Sequence, residues 1–188
     1  MEAFWISITG ITMAEIGDRT QLLSLVLAAR FRRPLPIIAG ILCASVANHA
    51  AAGLIGHWFG ALLDPRVLDR IIGASMVAMA LWALRADQLD EDGVRDGSAG
   101  AFVATLTSFF LAEMGDKTQL ATVALAAAYP NLPAVVAGTT AGMLIANVPV
   151  VLLGRAFADR LPIKAMHYAA AALFLVLGAL FLWRSLTR

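Results

Sequence analysis

Two stretches of this chain carry charge where the surrounding sequence carries almost none. Glu15-Ile16-Gly17-Asp18-Arg19-Thr20-Gln21 lies inside an apolar run from about Phe4 to Ala29, and Glu113-Met114-Gly115-Asp116-Lys117-Thr118-Gln119 lies inside another, 98 positions later (113 − 15 = 98). The carboxylates of Glu15, Asp18, Glu113 and Asp116 sum to −4, Arg19 and Lys117 contribute +2, and the balance is −2. One divalent cation neutralises that balance, and so do two protons. A site that either species satisfies is what exchange of a metal for protons requires, and carboxylate oxygens favour hard cations such as Ca²⁺, Mg²⁺ or Mn²⁺. Thr20, Gln21, Thr118 and Gln119 add oxygen donors or supporting partners. Gly17 and Gly115 are places where a helix can unwind locally and free carbonyls as further ligands.

On a continuous helix Glu15 and Asp18 sit about 60° apart, with Arg19 about 40° to the other side of Glu15. The spacing therefore predicts one polar stripe per motif, turned toward its counterpart. Charges at mid-membrane depth each oppose insertion by about 2.5–3.5 kcal/mol, so three per motif need a reason. The plain reason is a network of ion pairs, Glu15–Arg19 and Glu113–Lys117, which leaves both aspartates unexplained. Charge balance is the expected role of Arg19 and Lys117 themselves. Asn48 and Asn147 read as hydrogen-bonding glue between helices, with direct ligation as the sharper alternative. Met13 and Met114 are gap-fillers first and thioether ligands second. His49 falls within a span, where a proton relay is the sharper reading; His57 and His167 fall near span ends.

The elements that must position these residues follow from composition. Of 188 residues 60% are apolar and 14% charged, and the mean hydropathy is +0.79. Soluble domains carry about 25% charged residues, and a chain this short cannot hide so much apolar surface from water. The fold class is all-α, a polytopic membrane protein. The net charge of +1 excludes a nucleic-acid partner as an expectation. A single cysteine, Cys43, excludes an intramolecular disulfide. The start Met1-Glu2 has no basic segment before its apolar run, so a cleavable signal peptide is not expected.

Six apolar runs are long enough to span: about 3–29, 35–60, 67–86, 101–128, 133–157 and 163–184. Residues 87–100 are polar and acidic, with Asp87, Asp90, Glu91, Asp92 and Asp96 against Arg95, and read as a flexible linker. An EF-hand reading fails, because Gly93 at loop position 6 would put Gln88 and Ala99 where Asp and Glu are needed. At the offset of 98, Phe4 matches Phe102, Thr9 matches Thr107, Gly40 matches Gly138 and Gly56 matches Gly154. Two three-helix repeats, 1–86 and 101–188, follow. Three is odd, so the second is inverted in the membrane, a recurring transporter plan with its site near the midplane. Gly56-x-x-x-Gly60 and Gly138-x-x-x-Gly142 read as close-packing faces. Arg30, Arg32, Arg33, Arg85, Arg95, Arg155, Arg160 and Lys164 on one side outnumber Arg66, Arg70, Arg184 and Arg188 on the other. That imbalance places the acidic linker in the cytoplasm and both termini outside.

The duplicated Glu-x-Gly-Asp-Lys/Arg-Thr motif in a six-span chain of this size resembles the second Ca²⁺:cation antiporter family, which includes Golgi Ca²⁺/Mn²⁺:H⁺ exchangers and MneA-type bacterial manganese exporters. The resemblance covers essentially the whole chain. It implies that Glu15, Asp18, Glu113 and Asp116 form the cation and proton sites, and that Mn²⁺ or Ca²⁺ leaves the cytosol across the plasma membrane in exchange for protons. No prosthetic group and no enzymatic activity are implied, the bilayer is the surrounding partner, and homodimerisation is left open. Two rivals stand beside it. One is a related exporter of an amino acid or other small cationic solute. The other is an intramembrane aspartyl protease built on Asp18 and Asp116, although the Gly-x-Gly-Asp signature of that chemistry is broken by Glu15 in the first glycine's place.

Overall fold

The computed structural model describes residues 1–84, 100–154 and 163–187. The described residues form helices α1 (Glu2–Glu15), α2 (Arg19–Phe31), α3 (Pro34–Leu62), α4 (Pro65–Ala83), α5 (Gly100–Glu113), α6 (Lys117–Ala128), α7 (Leu132–Leu153) and α8 (Ile163–Thr187). The linker 87–100 lies outside the described residues except for Gly100, as do Arg85, Arg95, Arg155, Arg160 and Arg188 of the arginine count.

Two expected spans are each split. The run expected as one helix over 3–29 is α1 followed by α2, and that over 101–128 is α5 followed by α6. At 12–14 residues each, these segments are about 18–21 Å long and cross the bilayer only in pairs. The physical reason is the glycine. Gly17 sits at φ 85° and Gly115 at φ 76°, the left-handed region that side chains with a Cβ avoid, and each ends the helix before it. The expectation of one continuous polar stripe per motif is therefore corrected: Glu15 closes one helix while Asp18 and Arg19 open the next.

α3, α7 and residues 167–187 of α8 are long and apolar enough to span. The fourth long helix, α4, has 19 residues and carries Arg66, Asp69 and Arg70 near its start. Asp69 is buried against α8, where Arg184 Nε lies 3.9 Å from its carboxylate. Large apolar side chains such as Leu54, Ile55, Trp58, Leu152 and Trp183 point outward, as lipid-facing positions do. Cys43 is exposed.

α1 packs on α7 and α5 on α3; α1 also touches α6, and α2 touches α5. One apolar cluster draws Ile11 from α1 and Leu125 from α6 together with Ile72, Met76 and Phe174. The other draws Leu23 and Leu27 from α2 and Phe109 from α5 together with Ile37, Ile41 and Met143. The two broken segments thus lie alongside each other head to tail, and their breaks meet.

The glycines make this approach close. A Cβ on Gly138 would stand 2.6 Å from Phe4 O and 2.8 Å from Ser7 Cβ, so α1 lies directly on the α7 backbone. A Cβ on Gly40 would stand 2.9 Å from Phe102 O and 2.7 Å from Thr105 Cβ, which sets α5 on α3 in the same manner. The second set of partners is the first displaced by 98 positions. Gly142 against Ile8 and Gly60 against Ala127 extend both faces.

Candidate metal centre

Each break is built the same way. Asp18 is extended (φ −79°, ψ 164°) and caps α2, with its carboxylate accepting from Thr20 N at 3.4 Å. Asp116 has the same backbone (φ −78°, ψ 165°) at the start of α6, and Thr118 Oγ1 donates to its Oδ2 at 3.3 Å. Gly17 N donates to Gln21 Oε1 at 3.0 Å, and Gly115 N donates to Gln119 Oε1 at 2.7 Å. The glutamines and threonines named as donors therefore brace the breaks, and Gln21 Nε2 additionally donates to Ala146 O on α7 at 3.0 Å. Carboxylates at helix starts sit in the positive end of the helix dipole, while the ends of α1 and α5 leave carbonyls without intrahelical donors.

The ion pairs cross between the motifs. Lys117 Nζ bonds Asp18 Oδ1, with both side chains fully enclosed. Arg19 Nη2 bonds Asp116 Oδ1 at 3.3 Å, with the arginine about one-third exposed. The expected pairs within each motif, Glu15–Arg19 and Glu113–Lys117, do not form among the described contacts. The reason is the break, which turns each cation away from the glutamate four residues before it and toward the opposite aspartate. One pair is the other displaced by 98 positions.

Glu15, Asp18 and Asp116 converge, with one oxygen of each within 4.8 Å of the others and all three buried. Thr20 Oγ1 donates to Glu15 Oε2 at 2.5 Å, and Glu15 Oε1 has no hydrogen-bond partner among the described residues. Glu113, also buried, is held from α3. Ser45 Oγ donates to Oε1 at 3.0 Å and Asn48 Nδ2 donates to Oε2 at 3.3 Å. The two glutamates thus differ in their surroundings.

Among the auxiliary residues, Asn48 joins the site through Glu113. Asn147 does not; it accepts from Ser24 Oγ at 2.7 Å and donates to Met143 O at 3.1 Å, tying α7 to α2. Met114 is 55% exposed and points away, so the thioether reading fails for it. Met13 packs with the apolar cluster. Ser45 is a site residue that sequence reasoning missed. Its signal was its place three residues before Asn48, on the same face of one helix.

The chain matches known proteins along nearly its whole length. The profile of the family described as divalent cation/proton antiporter GDT1 matches residues 3–91 and 101–188. A Vibrio cholerae protein described as a candidate manganese exporter is 48% identical over 180 residues, covering 95% of this chain and 89% of its own. A GDT1-like protein of Synechocystis is 27% identical over 97% of this chain and 98% of its own. The Saccharomyces cerevisiae divalent cation/proton antiporter GDT1 is 22% identical over 100% of this chain and 85% of its own. No solved structure gives a significant match.

Proposed function

The chain belongs to the GDT1 family of divalent cation/proton antiporters, and from that premise we propose that it exports Mn²⁺ or Ca²⁺ from the cytosol in exchange for protons, with Glu15, Asp18, Glu113 and Asp116 as the exchange site. The observation that carries this reading is the crossing of the ion pairs. Each aspartate is compensated by the cation of the opposite motif. What is left is Glu15 and Glu113, two buried carboxylates and the whole of the −2 balance. Either one dication or two protons answer them. Loading one species removes the electrostatic reason to keep the other, and that competition is the coupling.

The breaks supply the rest of the coordination. A dehydrated dication wants six or more oxygens, and Glu15, Asp18 and Asp116 converge to offer part of that shell. Carbonyls at the ends of α1 and α5, together with Ser45 and Asn48 around Glu113, are the neighbouring polar groups. The family relative in Vibrio cholerae, by its description, favours Mn²⁺ as the cargo.

Residues 1–86 and 101–188 are two inverted three-helix halves in this reading, joined by a cytoplasmic linker at 87–100. The head-to-tail contacts α1–α6 and α2–α5 support the inversion, as does the recurrence of the Gly40 contact at Gly138, 98 positions on. Rocking one half against the other exposes the site to each side in turn. The protein is placed in the plasma membrane with both termini outside. It acts as a transporter and not as an enzyme. The aspartyl protease alternative needs two aspartates sharing one proton, whereas Asp18 and Asp116 are each engaged by a separate cation.

The test is purified protein in vesicles holding a metal-sensitive and a pH-sensitive dye. Addition of Mn²⁺ or Ca²⁺ moves both signals, and Glu113→Gln and Asp116→Asn abolish both. Metal that enters without a proton signal, or full activity in the two variants, overturns the proposal.

A further inference from the structure

His49 is buried on α3 at 1% exposure, and nothing in the exchange described so far uses it. Its ring is oriented from both edges. Nδ1 lies 3.4 Å from Thr140 Oγ1 on α7, and Nε2 lies 3.9 Å from Glu113 Oε2. The first distance is a hydrogen bond. The second is too long to be one, and Nε2 has no hydrogen-bond partner among the described residues. With the proton on Nδ1 and donated to Thr140, Nε2 presents a bare lone pair to a carboxylate oxygen. Two acceptors then face each other across a gap in a buried site, and a cation shared between them satisfies both.

We propose that His49 Nε2 and Glu113 Oε2 are joint ligands of the transported ion, and that the nitrogen selects a first-row transition dication over Ca²⁺ and Mg²⁺. The inference rests on the antiport reading and adds the residue that sets its selectivity. A separation of 3.9 Å is one that two ligands at about 2.2 Å from a single ion span. A ligating histidine usually donates its other ring N–H to a fixed acceptor, and Thr140 fills that role. Imidazole nitrogen binds transition metals well, whereas Ca²⁺ and Mg²⁺ are held by oxygen shells. Glu113 has capacity for the ion, since a carboxylate offers about four lone-pair positions and, among the described residues, Ser45 and Asn48 are the ones that donate to it.

The donor exists on one half alone. The position 98 residues after His49 is Asn147, which is committed to Ser24 and Met143. The three-oxygen group Glu15, Asp18 and Asp116 is thus indifferent among hard dications, and the Glu113–His49 pair is where they are told apart.

Mn²⁺ is its own probe. Tag-free protein loaded with Mn²⁺ alone is examined by pulsed electron paramagnetic resonance, which detects ¹⁴N bound directly to the ion. The chain has three histidines, so the double variant His57→Asn/His167→Asn leaves His49 as the sole imidazole. Nitrogen modulation is expected in the wild type and in that double variant, and its loss in His49→Asn. In the vesicle assay, the excess of Ca²⁺ needed to halve Mn²⁺ uptake falls about tenfold or more in His49→Asn. Bound Mn²⁺ without nitrogen modulation in the double variant overturns the inference and leaves metal/proton exchange standing. Absence of any Mn²⁺ binding or Mn²⁺-driven proton signal in the wild type overturns the antiport reading and this inference with it. Should His49→Asn fail to fold, the double variant alone decides.

Discussion

The cross-paired aspartates make a quantitative prediction about energetics. If Asp18 stays with Lys117 and Asp116 with Arg19 throughout the cycle, the charge exchanged is that of Glu15 and Glu113 alone. One dication then leaves for two protons, and no net charge crosses the membrane. Each proton moving down a gradient of one pH unit releases about 1.36 kcal/mol, so two release about 2.7 kcal/mol. That sustains a metal gradient of about 100-fold at equilibrium. An exchange of one proton per dication would sustain only about tenfold. It would also move one net charge, so that 100 mV would alter the balance by about 2.3 kcal/mol, roughly 50-fold. The two schemes separate cleanly in vesicles with a fixed pH step of one unit and a membrane voltage set by a potassium gradient and an ionophore. The expected result is a Mn²⁺ gradient at equilibrium near 100-fold that does not follow the imposed voltage. A gradient near tenfold that shifts with voltage would refute the reasoning, because one of the two glutamates must then keep the same protonation state throughout transport.

Two further expectations concern stability. Lys117→Met strands the fully buried Asp18 carboxylate and should lower unfolding stability by about 3–5 kcal/mol, whereas Lys117→Met/Asp18→Asn removes both charges and recovers most of it; thermal unfolding in one detergent compares the two, and equal losses would sink the pairing. Gly138→Ala drives a methyl group to 2.6 Å from Phe4 O and should cost about 1–3 kcal/mol, while Gly10→Ala meets only Leu173 Cδ2 at 3.8 Å and should be close to neutral. The same unfolding assay ranks them, and similar midpoints would remove the case for α1 lying directly on α7.

Much of this arrangement was legible in the residues. Two charged motifs inside apolar runs could only be a buried polar site, and their matched spacing with Gly40 and Gly138 foretold equivalent contacts. The helix breaks were half legible. Glycine in a helical pattern is tolerated at a cost of about 1 kcal/mol, and nothing local decides whether Gly17 bends the helix or ends it. What decides is the cap that follows, Asp18 on Thr20 and Gln21 on Gly17, and these depend on side chains adopting one arrangement together. The exchange of partners was not legible. Glu15–Arg19 at a spacing of four is the natural pair on a helix, and only the meeting of two breaks brings Lys117 to Asp18 across 99 positions. The pocket around Glu113 depended likewise on contacts 65 and 68 positions away, for which no periodicity gives a signal.

In the proposed cycle the two halves agree where force is transmitted and differ where the ion is held. Exchange of one half for the other maps Asp18–Lys117 onto Asp116–Arg19, Gly17–Gln21 onto Gly115–Gln119, and the glycine contacts of α7 onto those of α3. The same exchange maps Ser45 onto Met143, Asn48 onto Ala146 and His49 onto Asn147, so the partners that α3 gives Glu113 have no counterpart for Glu15 on α7. In the proposed cycle the paired breaks must yield in either direction, and a clamp that is alike on both sides makes opening inward and opening outward comparable in energy. Selectivity makes no such demand. It needs one place where the wrong cation is poorly held, and a second copy would only repeat the desolvation penalty of a buried imidazole and carboxylate. Retaining symmetry in the crossed pairs while losing it around Glu113 separates the mechanics of exchange from the choice of ion, and it explains why α3 gives donors to Glu113 where, among the described residues, α7 gives none to Glu15.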